Sequence, residues 1–190
     1  MIEIIFWGRG GQGAVTASQI LATAAFNEGK YAQAVPFFGG ERKGAPVTAH
    51  IRISDEAIEI RTPIEKADIL IVLDPMLLKT TVSPDCLKSG GLAIINTNKS
   101  PEEIKKEWKA QNIEVNTIDA TEISDKIYGQ SSIPKVNTTV LGFAVTNTKM
   151  ISPEYLLTTI GEYFPGGSDN KAIESAKLGL KTVAQKAKVK

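Results

Sequence analysis

Ile2-Glu3-Ile4-Ile5-Phe6-Trp7-Gly8-Arg9-Gly10-Gly11-Gln12-Gly13-Ala14-Val15-Thr16 opens the chain with a short apolar run, a glycine cluster and the start of an amphipathic segment. Residues 2–7 are β-branched and apolar enough to predict a strand. From Ala14 to about Asn27, the spacing of Val15, Ile20, Leu21, Ala24 and Ala25 makes one broad apolar stripe and predicts a helix that Gly29 stops. Gly8-Arg9-Gly10-Gly11-Gln12-Gly13 satisfies G-x-G-x-x-G between that strand and that helix. Glycines let the backbone turn tightly and approach an anion, and the free N–H groups of a helix start point at it. Arg9 adds a charged fork suited to a phosphate. A tight strand-to-helix turn without a ligand satisfies the same pattern, but four glycines beside an Arg and a Gln at the end of a first strand favour anion binding.

Working outward, Lys30 to Val35 reads as a second strand that Pro36 ends. Val47, Ala49, Ile51 and Ile53 alternate with Thr48, His50, Arg52 and Ser54, the clearest period of two in the chain. A turn at residues 54–56 leads into Ile58-Glu59-Ile60-Arg61, so a β-hairpin is expected here and the sheet is mixed. Ile69 to Leu73 and Leu92 to Ile95 are continuous apolar runs of the kind covered on both faces. Ile113 to Ile118 is the last expected strand. Ser100-Pro101-Glu102-Glu103 is a helix start with a capping box. Beyond residue 120 the chain reads as mainly helical, with helices at 137–148, 152–164 and from 169 onward. These elements predict one α/β domain over residues 1–190, a three-layer Rossmann-like arrangement with a mostly parallel, mixed sheet containing one β-hairpin.

Composition narrows the function classes. The 190 residues carry 42% hydrophobic and 23% charged side chains, ordinary for a globular chain able to bury a core without disulfides. The single cysteine, Cys86, excludes an internal disulfide and fits a reducing cytoplasm. A net charge of +1 gives no global field for nucleic acid or a membrane surface. No apolar run approaches the roughly 20 residues of a membrane helix, and no signal peptide opens the chain. A soluble, cytoplasmic chain is therefore expected.

A dinucleotide would need an acidic residue at the end of the second strand, about 20 residues beyond the loop, to hold the ribose. That strand runs instead into Val35-Pro36-Phe37-Phe38; Glu28 precedes it and Glu41 lies past it in a loop. A nicotinamide dehydrogenase is thus the weaker reading. The loop from Pro36 to Pro46, with two phenylalanines, three glycines and Glu41-Arg42-Lys43, is either a ligand or subunit surface or an ordinary hairpin loop. Asp74-Pro75 reads as a helix N-cap with Pro at the first position. His50, the lone histidine, reads as an exposed strand residue, and Cys86 as structural. Asn137-Thr138-Thr139 either caps a helix or faces the glycine loop. The lysines of the last helix read as a solvated face. One cysteine cannot ligate an iron–sulfur cluster, which takes four, and no Walker loop or nucleophile–histidine pair is present. No Gly-Asp-Gly for thiamine diphosphate and magnesium appears. A catalytic set cannot be assembled, which points to one component of a larger enzyme.

Residues 8–18, 29–47, Arg52-Ile53, Val72-Leu73-Asp74-Pro75, Ile133-Pro134-Lys135-Val136-Asn137-Thr138, Leu141-Gly142, Phe164-Pro165 and the segment from Asn170 to Gly179 together resemble, in collinear order, the gamma subunit of pyruvate:ferredoxin oxidoreductase. The resemblance implies an enzyme subunit, inactive in isolation, of a complex that converts pyruvate and coenzyme A to acetyl-CoA and CO2 while reducing ferredoxin. It implies alpha, beta and delta-type partner subunits, with thiamine diphosphate, Mg2+ and iron–sulfur clusters held by them. It also associates this chain with coenzyme A, whose phosphates suit the glycine loop. The candidate cofactor-contacting residues are Gly8, Arg9, Gly10, Gly11, Gln12, Gly13, Arg42 and Asn137, with no catalytic residue and no metal ligand. Lys43 departs from the family pattern, which often has a second Arg there; Lys keeps the charge and loses the planar fork. Another 2-oxoacid, or a stand-alone Rossmann-type nucleotide-binding protein, remains the alternative.

Overall fold

The structure is a computed structural model and describes residues 1–38, 44–110, 112–165 and 169–183. In chain order its elements are β1 (Ile2–Arg9), α1 (Ala14–Asn27), β2 (Tyr31–Phe38), β3 (Pro46–Ser54), β4 (Ala67–Val72), β5 (Leu87–Asn96), α2 (Pro101–Trp108), β6 (Glu114–Ile118), α3 (Ala120–Tyr128), α4 (Asn137–Thr148), α5 (Pro153–Tyr163) and α6 (Asp169–Lys181). The strands form one six-stranded sheet in the order β2-β3-β1-β4-β5-β6. β1, β4, β5 and β6 run parallel, while β3 lies antiparallel between β1 and β2. The α/β class and the mixed sheet are as the sequence predicts.

Alternation along the strands divides the core into two layers. Ile4 and Phe6 of β1, Ile69 and Ile71 of β4 and Ile94 of β5 face α1 and α4. Ile5, Leu70, Val72, Ala93 and Ile95 face the opposite side, where Ile104 of α2 covers them. Both faces of β4 and β5 are therefore buried, as their unbroken apolar runs require. The layers are unequal, because α1, α3, α4, α5 and α6 all belong to the first side. α4 crosses α6 with backbones in contact. A Cβ on Gly142 would lie 2.2 Å from the Ala176 carbonyl oxygen, and one on Gly179 would lie 2.0 Å from that of Thr139. This close approach sets α6 against the start of α4.

The hairpin expected between residues 47–54 and 58–61 does not form, and the antiparallel partner of β3 on that side is the preceding strand, β2. β3 pairs with β2, Ala34 opposite Ile51 and Pro36 opposite Ala49. Residues 58–61 form no strand. Both edges of β3 are already taken, by β1 and β2, so no row of backbone groups is left for a third strand. β2 also continues through Pro36 to Phe38 instead of stopping there, which an edge strand permits because its outer side needs no donor. α3 was not foreseen, although Asp119 caps it by accepting from the Glu122 amide at 2.8 Å. At α2 the expected capping box is present, with Ser100 and Glu103 exchanging bonds.

The polar face of β3 is likewise not a solvent face. Arg52 is buried and its Nε donates to Glu3 Oε1 at 2.9 Å, with Lys88 Nζ 3.1 Å from Glu3 Oε2. Hydrogen bonds to Asp68 and Glu3 raise the Lys88 pKa against the opposing effect of its desolvation. His50, expected to be exposed, is half-buried beneath residues 61–64. Its Nδ1 accepts the Ile64 amide at 3.0 Å, and its ring lies 4.5 Å from that of Phe37. Desolvation and then the Arg52 charge hold the His50 pKa below its ordinary value, against a weaker pull from Glu3. Below about 6.5 the unfolded chain therefore binds a proton that the folded chain refuses, so the contribution of His50 is intact above that pH and is lost on acidification. Between pH 7.5 and 5.5 the melting temperature is expected to fall, and His50→Gln to flatten that slope. Parallel slopes for the two proteins would contradict the assignment.

Candidate functional site

The glycine loop joins the carboxyl end of β1 to α1, where open α/β sheets gather their ligands. Its shape is fixed by one carboxylate at the carboxyl end of the neighbouring β4. Asp74 Oδ2 accepts from Arg9 Nε and from Gln12 Nε2, each at 2.6 Å, and Arg9 Nη2 lies at the same distance. The other oxygen, Oδ1, accepts the Met76 amide at 2.9 Å and caps a short 3-10 turn, Pro75–Lys79. The N-cap reading of Asp74-Pro75 is correct but incomplete. Gln12 is buried and closes the loop on itself, its Oε1 accepting the Arg9 amide at 2.7 Å. The Gly10 amide is used by the Ala45 carbonyl at 2.9 Å.

What the loop leaves open is the helix start. Gly13 stands at the N-cap of α1 with φ 77°, a left-handed conformation that favours glycine, and offers no side-chain cap. Gly11 and Gly13 through Thr16 have no backbone acceptor for their amides among the described residues. These are the orphan donors of a helix terminus. Asn137 closes over them from the first turn of α4. A Cβ on Gly13 would lie 2.6 Å from Asn137 Nδ2, so glycine is required sterically as well as conformationally. α4 also begins without a side-chain cap, Val136 standing at its N-cap. Two helix N-termini thus meet around a cleft of about 180 Å³ that Gly11, Gln12, Gly13, Thr16, Asn137 and Thr138 line. Each terminus carries a partial positive charge, and together they suit an anion.

Of the residues singled out in the sequence, the structure brings Gly11, Gln12, Gly13 and Asn137 together at this cleft. Gly8 is buried beneath the loop, its Cβ position 3.1 Å from that of Ala14. Arg9 reaches Asp74 with one edge of its guanidinium, leaving the side chain 43% exposed. Arg42, with Gly39, Gly40, Glu41 and Lys43, lies outside the described residues. The sequence reading did not anticipate Asp74 as the organiser, because its partners are some 65 positions away. It also missed Tyr128 and Lys135, which line the cleft beside Asn137. A ribose-binding acid is structurally displaced: β3 separates β2 from β1, moving the end of β2 roughly one strand spacing, about 5 Å, farther from the loop. Glu28 is occupied, accepting the Ser152 hydroxyl at 2.6 Å and its amide at the start of α5. Among the described residues no group of three or more His, Cys, Asp or Glu is placed to hold a metal ion, and no helix is long and apolar enough to cross a membrane.

The fold and this cleft define an α/β domain in which two uncapped helix N-termini meet at the carboxyl end of the sheet. The chain matches the family described as pyruvate ferredoxin/flavodoxin oxidoreductase over residues 3–182, and it belongs to that family. It is 48% identical over 177 residues to the common gamma subunit of the pyruvate/ketoisovalerate oxidoreductases of Thermococcus kodakarensis, covering 93% of this chain and 94% of that one. The crystal structure of the pyruvate oxidoreductase subunit PORC of Thermotoga maritima superposes with a TM-score of 0.76 at 36% identity, covering 95% of this chain and 93% of that one. A 2-oxoglutarate:ferredoxin oxidoreductase of Magnetococcus marinus, solved with 2-oxoglutarate, coenzyme A and succinyl-CoA bound, shares the fold at a TM-score of 0.76 and 18% identity. There the match covers 94% of this chain and 30% of the larger one. The chain is accordingly a gamma-type subunit of a 2-oxoacid oxidoreductase.

Asp74→Ala strips the acceptor from a buried amide group and a guanidinium at once. Because half-exposed Arg9 can return to water, most of the loss falls on Gln12, and a destabilisation of about 2 kcal/mol is expected. The midpoint of chemical denaturation measures it; an unchanged midpoint would mean that the loop is held by something other than Asp74.

Proposed function

We propose that this subunit binds coenzyme A for the CoA-dependent oxidative decarboxylation of pyruvate to acetyl-CoA and CO2 with reduction of ferredoxin. The observation that carries the reading is the meeting of two uncapped helix N-termini, those of α1 and α4, over the glycine loop. The diphosphate of coenzyme A supplies the negative charge those termini lack, and its oxygens accept from the free amides of Gly11 and Gly13 through Thr16. Asn137 adds a neutral amide donor beside Gly13. Gln12 and Arg9 act mainly through Asp74, holding the loop in its receptive shape. Arg42 belongs to the same proposed contact set.

The role of these residues is to bind and orient, and the reacting thiol of coenzyme A is presented to chemistry elsewhere in the assembly. Thiamine diphosphate, Mg2+ and the iron–sulfur clusters belong, on this reading, to alpha, beta and delta-type subunits, since one cysteine provides one of the four ligands that a cluster usually takes. Two observations on other proteins support the reading: the Thermotoga subunit named above belongs to a pyruvate oxidoreductase and the Thermococcus one is common to pyruvate and ketoisovalerate oxidoreductases, and the Magnetococcus enzyme of the same fold was solved with coenzyme A. We place the complex in the cytoplasm, where a free thiol such as Cys86 and a soluble ferredoxin are compatible.

Asn137→Asp separates ligand binding from folding. A carboxylate in the first turn of α4 favours the helix dipole, so stability is expected to hold or rise. The same carboxylate repels the diphosphate, so KM for coenzyme A in the copurified complex is expected to rise about tenfold, equivalent to 1.4 kcal/mol, with kcat retained. An unchanged KM would overturn the assignment of this cleft to coenzyme A.

A further inference from the structure

Next to the glycine-loop cleft lies a second, larger one of about 450 Å³, bordered by Ser124, Tyr128, Gly129, Ile133, Lys135 and Lys171. The two clefts share Tyr128 and Lys135, so they lie side by side along one groove wall. Lys135 Nζ lies 4.9 Å and Lys171 Nζ 5.8 Å from the centre of the Tyr128 ring. Such contacts hold an exposed ammonium by about 0.5–1 kcal/mol each, enough to bias both cations toward the groove. Neither lysine has a carboxylate partner among the described residues. The backbone of Lys135 is fixed as well, its amide donating to the buried Ser124 hydroxyl at 2.9 Å.

The positions of the two cations are unfavourable for the helices that carry them. Lys171 is the third residue of α6, and Lys135 stands two residues before α4. A cation at a helix N-terminus opposes the macrodipole by some 0.3–1 kcal/mol. Two like charges drawn to one ring add mutual repulsion. Local choices that conflict with helix electrostatics, without a protein carboxylate to offset them, are expected at functional sites. A dianion in the groove relieves both conflicts.

We infer that Lys135, Lys171 and Tyr128 form a second anion subsite that takes a phosphomonoester, separate from the diphosphate held at the glycine loop. This rests on the assignment of that loop to coenzyme A, and it identifies the group recognised here as the ribose 3′-phosphate. A ligand with a diphosphate and a phosphomonoester joined by a ribose carries two anionic groups, and the neighbouring clefts offer a neutral amide cradle in one and a pair of ammonium groups beside it, Lys171 bordering the second cleft and Lys135 lining both. The subsite distinguishes coenzyme A from its 3′-dephospho form, whose diphosphate is intact.

The test compares coenzyme A with 3′-dephospho-CoA as acceptors for the intact complex, carrying wild-type chain, the Lys135→Met/Lys171→Met double variant, Lys171→Arg or Asn137→Asp. Wild type is expected to prefer coenzyme A in kcat/KM by tenfold or more. The double variant is expected to lose that preference through KM for coenzyme A, Lys171→Arg to keep it, and Asn137→Asp to raise KM for both acceptors together. If Asn137→Asp raises both values while the double variant keeps the wild-type preference, the second subsite is wrong and the glycine-loop site stands. If neither variant changes either KM, both assignments fall. A wild-type complex indifferent to the 3′-phosphate would also overturn the inference. Both lysines are exposed, and melting temperatures of the purified complexes check that folding is retained.

Discussion

Asp74 makes the rest of the site possible. A single carboxylate at the end of β4 receives Arg9, Gln12 and the amide of Met76, and so ties together the glycine loop, the strand beside it and the turn that follows. Buried carboxylates are tolerated when hydrogen bonds replace water, and here each oxygen has a donor. Because the side chains of Gln12 and Arg9 are spent on holding the loop, its backbone amides are what remain for a ligand. The shape of the cleft then comes from backbone geometry, from the absence of a Cβ at Gly13, and from the approach of α4.

The antiparallel strand β3 has the next largest consequence. Placed between β1 and β2, it moves the end of β2 away from the glycine loop and takes with it the position at which a dinucleotide-binding domain holds the ribose. It also fills both of its own edges, which excludes residues 58–61 from the sheet and frees the neighbouring segment 61–64 to cover His50 and Arg52. A loop with the spacing of a dinucleotide fingerprint thereby lacks the ribose-holding half of that apparatus and keeps only its free backbone amides.

Much of this was legible locally. The period-two pattern of β3, the both-faces burial of β4 and β5, the capping box at Ser100 and the bounds of α1 and α4 all follow from near neighbours in sequence. What was not legible depended on distant partners. Alternation at 47–54 identifies a strand but cannot say whether 31–38 or 58–61 pairs with it. Nothing beside Asp74 announces Arg9 and Gln12, and nothing beside Asn137 announces Gly13. The start of α3 at Asp119 with Glu122 three residues on did carry a local cap signal. Lys171 reads in sequence as one more cation on a solvated face; its meaning changes once α6 crosses α4 and brings it over Tyr128.

The central claim is that the joined N-termini of α1 and α4 receive the phosphates of coenzyme A. Backbone amide hydrogen exchange in the intact complex, with and without coenzyme A, measures this most directly. Slowed exchange in residues 10–16 and 135–140, with β2 and β3 unaffected, is the predicted result. Exchange in both segments that stays the same when coenzyme A saturates the complex would contradict it.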